Sequence, residues 1–339
     1  MKMNFLVLGA GAIGCYVGAR LVGAGQPVAL VGRPRVLASL RTQGLTVSDL
    51  DGFQADLTPS QLALFDNLAQ AWAALQTPGV QTVVLLCVKG GATTLVAEDL
   101  AQVCPQGTPV VSLQNGVHNV LRLLQAAPEL QAIAGMVPYN VVMPKPHQVH
   151  RATEGALHLD DLPLTRAIAQ VFSASGLPTV LSGDMRSVQW GKLLLNLNNP
   201  INALSDLPLQ AQLRDRGYRC VLAALQQEAL QVLAQAGIRP AKISHAPPAL
   251  LPLILRLPNF LFERIATKML RMDASARSSM WEDLQRGRTT EMDDLCGAVV
   301  RLAQAQGLTA PRNARMCQFI AAHQHGQRWS AQALLEALA

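Results

Sequence analysis

The sequence predicts an α/β domain, built on a parallel sheet with helices on both faces, followed by an all-α domain. Three observations carry this expectation. Short strand-like runs in the first half are apolar throughout instead of alternating, helical segments lie between several of them, and beyond about residue 183 the periodic segments have the helical repeat. The strand-like runs are residues 4–8, 27–31, 82–88, 109–113 and roughly 132–142, with helical patterns at 13–23 and 92–104. A more irregular part follows, with strand at 150–159, helix at 164–174 and a last strand at 178–181. Residues 187–204, 213–236, 259–272, 291–306 and 313–323 then read as helices and no convincing strand remains, so the expected domains are 1–183 and 184–339.

A chain of 339 residues can bury a core in each of two domains. Half of it is hydrophobic and 15% charged, the balance of a compact soluble protein. The net charge of +6 is spread without runs and aromatics make up 4%, which argues against a nucleic-acid surface of cations and stacking rings. The excess equally suits an anionic cofactor or substrate. Cys15, Cys87, Cys104, Cys220, Cys296 and Cys317 show neither metal-ligand nor disulfide-framework spacing, so reduced core cysteines of a cytoplasmic protein are expected. The apolar stretch 5–8 is too short for a signal-peptide core, and the apolar segment 246–270 is interrupted by Pro247, Pro248, Pro252 and Pro258 and carries Arg256, Glu263 and Arg264. No membrane partner is expected. The seven histidines, His118, His147, His150, His158, His245, His323 and His325, lack metal-ligand spacing and read as surface or loop residues, so no metal site is expected.

The run Gly9-Ala10-Gly11-Ala12-Ile13-Gly14 follows the first strand and opens the first helix. In such a Rossmann-type turn the first glycine makes the tight bend, the second lets a pyrophosphate approach the backbone, and the third lets helix pack on strand. A bound dinucleotide is expected. The second strand ends in Val31-Gly32-Arg33-Pro34-Arg35, with no carboxylate for the ribose hydroxyls of NAD. Arg33, with Arg35 beside it, suits a 2′-phosphate, so NADP(H) is favoured; two solvated arginines are the plainer alternative. Lys89 and Asn115 end the strands at 82–88 and 109–113, at the carboxyl edge where ligands of such sheets bind. A solvated lysine and an ordinary Asn-Gly turn are the competing readings.

In the second half Lys192, Asn196 and Asn199 stand at i, i+4 and i+7, within about 60° on a helical wheel, among Leu193, Leu194, Leu195 and Leu197. An amine on so apolar a helix must reach water or line a pocket. Pro200 takes away the partner of the Asn196 carbonyl and bends the helix there. A partly desolvated lysine can protonate a ketone oxygen as hydride arrives, with the amides holding hydroxyl or carboxylate groups. By spacing alone Glu291 reads as first-turn chemistry at a helix start, and Ser278-Ser279 as a loop with no histidine to activate it.

These residues together resemble the ketopantoate reductase (2-dehydropantoate 2-reductase) family over essentially the whole chain: GAGAIG at 9–14, Arg33, Lys89, Asn115 in LQNG, Lys192 in WGKLLLN, Ser279 in RSSMWEDL and Glu291 in GRTTEMD. The resemblance implies NADPH-dependent reduction of 2-dehydropantoate to (R)-pantoate for pantothenate and coenzyme A synthesis, in a cleft between a Rossmann domain and a helical domain. It implies Lys192 as general acid, Glu291 at the reacting oxygen and helping to hold the lysine, Ser279 at the substrate carboxylate, and Asn196 and Asn199 at its other polar end. Asn115 would face nicotinamide, ribose or substrate, and Arg33 and Lys89 the NADP phosphates. Two departures stand out: the second asparagine usually lies eight residues after the lysine and here lies seven, and Cys296 replaces an asparagine before Gly297. Segment 246–269 is also long for the family. A paralogue acting on another 2-keto acid is the second reading and a non-catalytic NADP sensor the third; a homodimer is left open.

Overall fold

The computed structural model describes residues 2–244, 246–267, 270 and 276–339, in two compact units, Met1–Met185 and Arg186–Ala339. The first unit carries β1 (Met3–Leu8), α1 (Ala12–Gly23), β2 (Val28–Val31), α2 (Pro34–Gln43), β3 (Leu45–Asp49), β4 (Gln54–Leu57), β5 (Ala63–Phe65), α3 (Leu68–Leu75), β6 (Gln81–Leu86), α4 (Thr93–Val103), β7 (Pro109–Ser112) and α5 (Asn119–Ala126). It continues with β8 (Gln131–Met136), β9 (Val141–Lys145), β10 (Gln148–Arg151), β11 (Leu157–Asp160), α6 (Pro163–Ala174) and β12 (Thr179–Ser182). Eight strands form one sheet in the order β12-β11-β8-β7-β6-β1-β2-β5, parallel except where β11 meets β8.

The uninterrupted apolar character of the strands has a direct cause. Met3, Phe5 and Val7 of β1 enter one core with α1 and α6, whereas Leu6 and Leu8 enter another with Ala71, Ala97, Leu100 and Leu123 of α3, α4 and α5. Both faces of the sheet are buried, so neither parity of the strand can be polar.

A second sheet of order β4-β3-β10-β9 was not expected, and it divides two segments read as single strands. The run at 132–142 becomes β8 of the large sheet and β9 of the small one, because Pro138 lies between them and has no N–H for a ladder. The run at 150–159 likewise becomes β10 and β11, separated at Gly155, whose φ of +144° only glycine adopts readily. His150 and His158 thus lie on strands and not in loops. Arg20 of α1 holds the small sheet: it reaches Asp49 at 3.1 Å, donates to the Ser175 carbonyl at 3.0 Å and lies 3.6 Å over the Phe53 ring, and Arg151 bonds both Asp49 and Asp51.

The described elements of the second unit are helical: α7 (Met185–Asn196), α8 (Asn198–Ser205), α9 (Leu209–Arg214), α10 (Arg216–Gln235), α11 (Leu251–Arg256), α12 (Asn259–Ile265), α13 (Ser279–Gln285), α14 (Cys296–Ala305), α15 (Pro311–Ala321) and α16 (Ala331–Leu338), with short 3-10 turns at Pro248–Leu250 and Met292–Asp294. The helix expected over 187–204 is two helices that part at Leu197, three residues before Pro200, where the proline removes the bond to the Asn196 carbonyl. Of the helix expected over 259–272, Asn259–Ile265 is seen; residues 268, 269, 271 and 272 lie outside the described residues, as does His245.

The long segment after residue 246 is anchored by Arg219 of α10, which is fully buried. Its guanidinium donates to the carbonyls of Leu213, Arg214, Leu255 and Leu257 and to the Asn259 amide oxygen at 2.7–3.1 Å, with the Phe262 ring 4.0 Å beneath it. A buried cation here is supported by carbonyl dipoles that converge on all its nitrogens. Arg219→Leu would orphan these acceptors, and we expect a loss of about 3 kcal/mol or more in denaturant unfolding; an unchanged midpoint would show that the anchor is dispensable.

Candidate active site

In the first unit the loops after β1, β2, β6 and β7 share the carboxyl edge of four neighbouring strands. The chain winds outward from β1 through β2 and β5, then resumes at β6 on the other side of β1, which makes β1/β6 the switch point where such sheets leave a crevice. Gly9 turns there with φ +109°, and a Cβ on it would stand 2.8 Å from the Cys87 carbonyl carbon. At Gly14 a Cβ would run into the Gly9 carbonyl oxygen, whereas at Gly11 it would meet nothing within 4 Å. Two glycines are required by the protein itself, and the third leaves open space above the start of α1, as a bound pyrophosphate needs.

Val31 ties this loop to β2, its carbonyl accepting from Gly9 and Ala10 N–H at 2.9 and 3.1 Å. Arg33, two residues on, is the exposed N-cap of α2, with Pro34 and Arg35 beginning the helix. Lys89 precedes a 3-10 turn after β6, and Asn115 lies in the loop after β7. Glycine loop, Arg33, Lys89 and Asn115 therefore stand on one edge, and the residues fit a phosphate-bearing dinucleotide.

In the second unit Asn199, Ser279, Met280, Asp283, Glu291 and Leu295 line a narrow, tightly closed crevice. It brings together three of the residues singled out in the sequence. Lys192 and Asn196 lie on α7 before the break at Leu197, Lys192 partly and Asn196 almost fully buried. Burial pushes the Lys192 amine down to about 8. Because the helix parts between Asn196 and Asn199, the shortened spacing does not follow one helical wheel, and Asn199 still reaches the cleft. Glu291 does not start a long helix; it stands before the turn Met292–Asp294, and Cys296 is the buried first residue of α14.

The placement of Ser279 depends on residues that sequence reasoning passed over. Ser278 donates its N–H to Asn202 Oδ1 at 2.9 Å and its hydroxyl to the Asn199 carbonyl at 3.2 Å, and it caps α13 by accepting from Trp281 N–H. Asp206, in the left-handed region at φ 53°, accepts from Trp281 Nε1 at 2.7 Å and pairs with Arg277 at 3.1 Å and Arg328 at 2.6 Å. The signal available was the Asn198–Asn202 cluster itself: Asn198 and Asn202 bond Gln212 and, through Asn202, the serine loop. Asp283, unassigned from sequence, adds a second carboxylate to the cleft wall. The lining thus carries an amide, a hydroxyl and two carboxylates, polar groups that suit a small molecule rich in oxygen.

A larger hollow of about 480 Å³, lined by Glu228, Val232, Leu308 and neighbours, holds none of these residues. The Glu228 carboxylate there is occupied by N–H groups of Arg312 and Asn313 at 2.8–3.0 Å, which makes it a helix cap and not a site. Among the described residues no group of His, Cys, Asp and Glu could hold a metal, all six cysteines are free, and no helix is long and apolar enough to cross a membrane.

A parallel sheet with a glycine loop at its switch point, joined in one chain to a helical unit with a polar cleft, defines an oxidoreductase of the dinucleotide-dependent class. Models of "Ketopantoate reductase PanE/ApbA" and of its C-terminal domain match residues 5–163 and 184–324, and the chain belongs to the ketopantoate reductase family, whose members are NADPH-dependent oxidoreductases acting on CH–OH groups. It is 25% identical over 318 residues to a 2-dehydropantoate 2-reductase of Pyrococcus horikoshii, covering 92% of this chain and 94% of that one. A PanE/ApbA family ketopantoate reductase from Ralstonia eutropha superposes with a TM-score of 0.77 at 28% identity, over 94% and 97% of the two chains. D-mandelate dehydrogenase with NADH and anilino(oxo)acetate shares the fold, with a TM-score of 0.75 at 19% identity over 94% and 98%.

Burial raises the pKa of Asp206, but the Trp281 indole N–H and the Arg328 and Arg277 charges outweigh it and hold the carboxyl below its usual value. Such a group stabilises above its unfolded pKa, and the contribution is lost as pH falls through the folded one. Asp206→Asn should therefore lower stability by about 1–2 kcal/mol at neutral pH, a difference from wild type that shrinks below about pH 4 in thermal unfolding; a deficit that persists at pH 2 would contradict it. Gly11→Ala should retain the wild-type melting temperature yet weaken NADPH binding about tenfold or more, whereas Gly14→Ala should lower both.

Proposed function

We propose that this protein reduces a 2-keto acid with NADPH, with 2-dehydropantoate as substrate and (R)-pantoate as product, in the synthesis of pantothenate and coenzyme A. The observation that carries the reading is the convergence of Asn199, Ser279 and Glu291 on one cleft in the unit whose α7 bears a partly buried amine. Relatives named for this reaction along nine-tenths of the chain support the choice of substrate.

In this reading residues 1–183 bind the nucleotide and 184–339 supply the chemistry. The Gly9–Gly14 loop receives the pyrophosphate on the N–H groups that open α1, Arg33 with Arg35 takes the 2′-phosphate, Lys89 is a second contact to the phosphates, and Asn115 faces nicotinamide, ribose or substrate. NADPH, when bound, supplies the hydride. Asn196 and Asn199 hold the hydroxyl end of the substrate, Ser279 its carboxylate, and Glu291 hydrogen-bonds at the reacting oxygen. Lys192 delivers the proton to that oxygen as negative charge builds on it. An amine near 8 is mostly protonated at neutral pH yet a far stronger acid than an exposed lysine, which is the match a general acid needs.

A second reading, the same chemistry on another 2-keto acid, is favoured by the broken helix before Asn199 and by buried Cys296 where the family has asparagine. Following NADPH absorbance with 2-dehydropantoate and a panel of other 2-keto acids separates them: the fastest substrate names the enzyme, and no turnover with any would overturn both.

For reduction, kcat should fall as pH rises through about 8, because the proton donor is lost. Lys192→Ala should reduce kcat by about 10²-fold or more with NADPH affinity intact; near-normal turnover would remove Lys192 from the mechanism. Arg33→Ala should raise KM for NADPH about tenfold and leave that for NADH unchanged, and equal effects on both would refute the 2′-phosphate contact.

A further inference from the structure

Resting on that reading, we propose that Thr93, Gln114 and Asn119 form a positioning brace that sets Lys89 and Asn115 against one another for nucleotide binding. None of the three faces solvent: Thr93 is 0%, Gln114 7% and Asn119 3% exposed. Gln114 donates one N–H to the Val88 carbonyl at 2.9 Å, just before Lys89, and the other to Thr93 Oγ1 at 2.8 Å. Thr93 donates its hydroxyl to Asn119 Oδ1 at 3.2 Å, and Asn119 donates its N–H to the Asn115 carbonyl at 2.6 Å. Ser112 completes Gln114 by donating to its Oε1 at 3.0 Å, and Arg122 donates to Asn119 Oδ1 at 3.1 Å.

The bonds run without interruption from the backbone beside Lys89, through the first residue of α4, to the backbone of Asn115. Both ends are loop carbonyls that a sheet ladder does not reach, since β6 ends at Leu86 and β7 at Ser112. Apolar packing would hold those loops in the sheet's layer but would not fix their mutual rotation. A buried chain of directed hydrogen bonds does, because each member has one arrangement that satisfies all its neighbours. Two residues that meet one nucleotide from adjacent loops are thereby preorganised, and the ordering is done before the ligand arrives.

Thr93→Val removes the central hydroxyl at constant shape, and Thr93→Ser restores it. Asn119→Asp keeps an acceptor for Thr93 and Arg122 but sets a charged oxygen where the N–H reaches Asn115, and Asn119→Leu removes that N–H without adding charge. NADPH affinity is read by fluorescence titration, folding by thermal unfolding, and KM and kcat in the steady state. Thr93→Val and Asn119→Asp should each raise the Kd and KM for NADPH on the order of tenfold, with kcat at saturating nucleotide within about threefold and Thr93→Ser close to wild type. Unchanged Kd in both variants, or a loss that Thr93→Ser does not rescue, would overturn the brace. Failure of the wild-type protein itself to bind NADPH would instead overturn the functional reading. Should Thr93→Val not fold, the uncharged Asn119→Leu decides, with the same rise in Kd expected and an unchanged Kd overturning the brace.

Discussion

Keeping an amine on a leucine-lined helix is the constraint around which the second unit is arranged. Lys192 is bounded by Leu193, Leu194 and Leu195, of which the first two are buried, so its charge is carried where water is scarce. Desolvation there lowers its proton affinity and turns an ordinary base into an acid useful near neutrality. The helix parts one turn later at Leu197, so Asn199 leaves the line of α7 and enters the cleft with Ser279 and Glu291. Around that break the buried asparagines and Asp206 tie down the serine loop, which has no sheet or long helix to hold it.

The first unit solves a different problem, the close approach of backbone to a large anion. Gly9 and Gly14 are required because protein atoms occupy the space a side chain would take; Gly11 differs in facing open space. The same economy recurs at Gly32, where a Cβ would strike Ala10, so the end of β2 passes close enough to bring Arg33 alongside the glycine loop.

Much of this was legible in the sequence because the governing signals are local. A strand with both parities apolar announces a sheet covered twice, and Gly-x-Gly-x-x-Gly between strand and helix announces its steric reasons. Pro200 announced a bend, though the full parting of the helix was not read. The small sheet was missed because β3 and β4 are only five and four residues long, and their place depends on partners distant in sequence such as β10 and Arg20. The long pattern over 150–159 was misread for the same reason: periodicity carries no information on which sheet a strand joins. Glu291 looked like a helix-start carboxylate by spacing alone, and only the path of the chain between α13 and α14 puts it opposite Asn199. Asp206, Asn202 and the Gln114 chain had no linear signature, since each acts through backbone atoms far along the chain.

The central claim is that the Lys192 amine is a weak base by virtue of its surroundings. Its own titration tests this most directly: reductive ¹³C-methylation of the lysines, NMR observation across pH, and assignment of the signal by its absence in Lys192→Arg. A midpoint close to 8 is predicted, and one at the ordinary 10.5 would contradict the account.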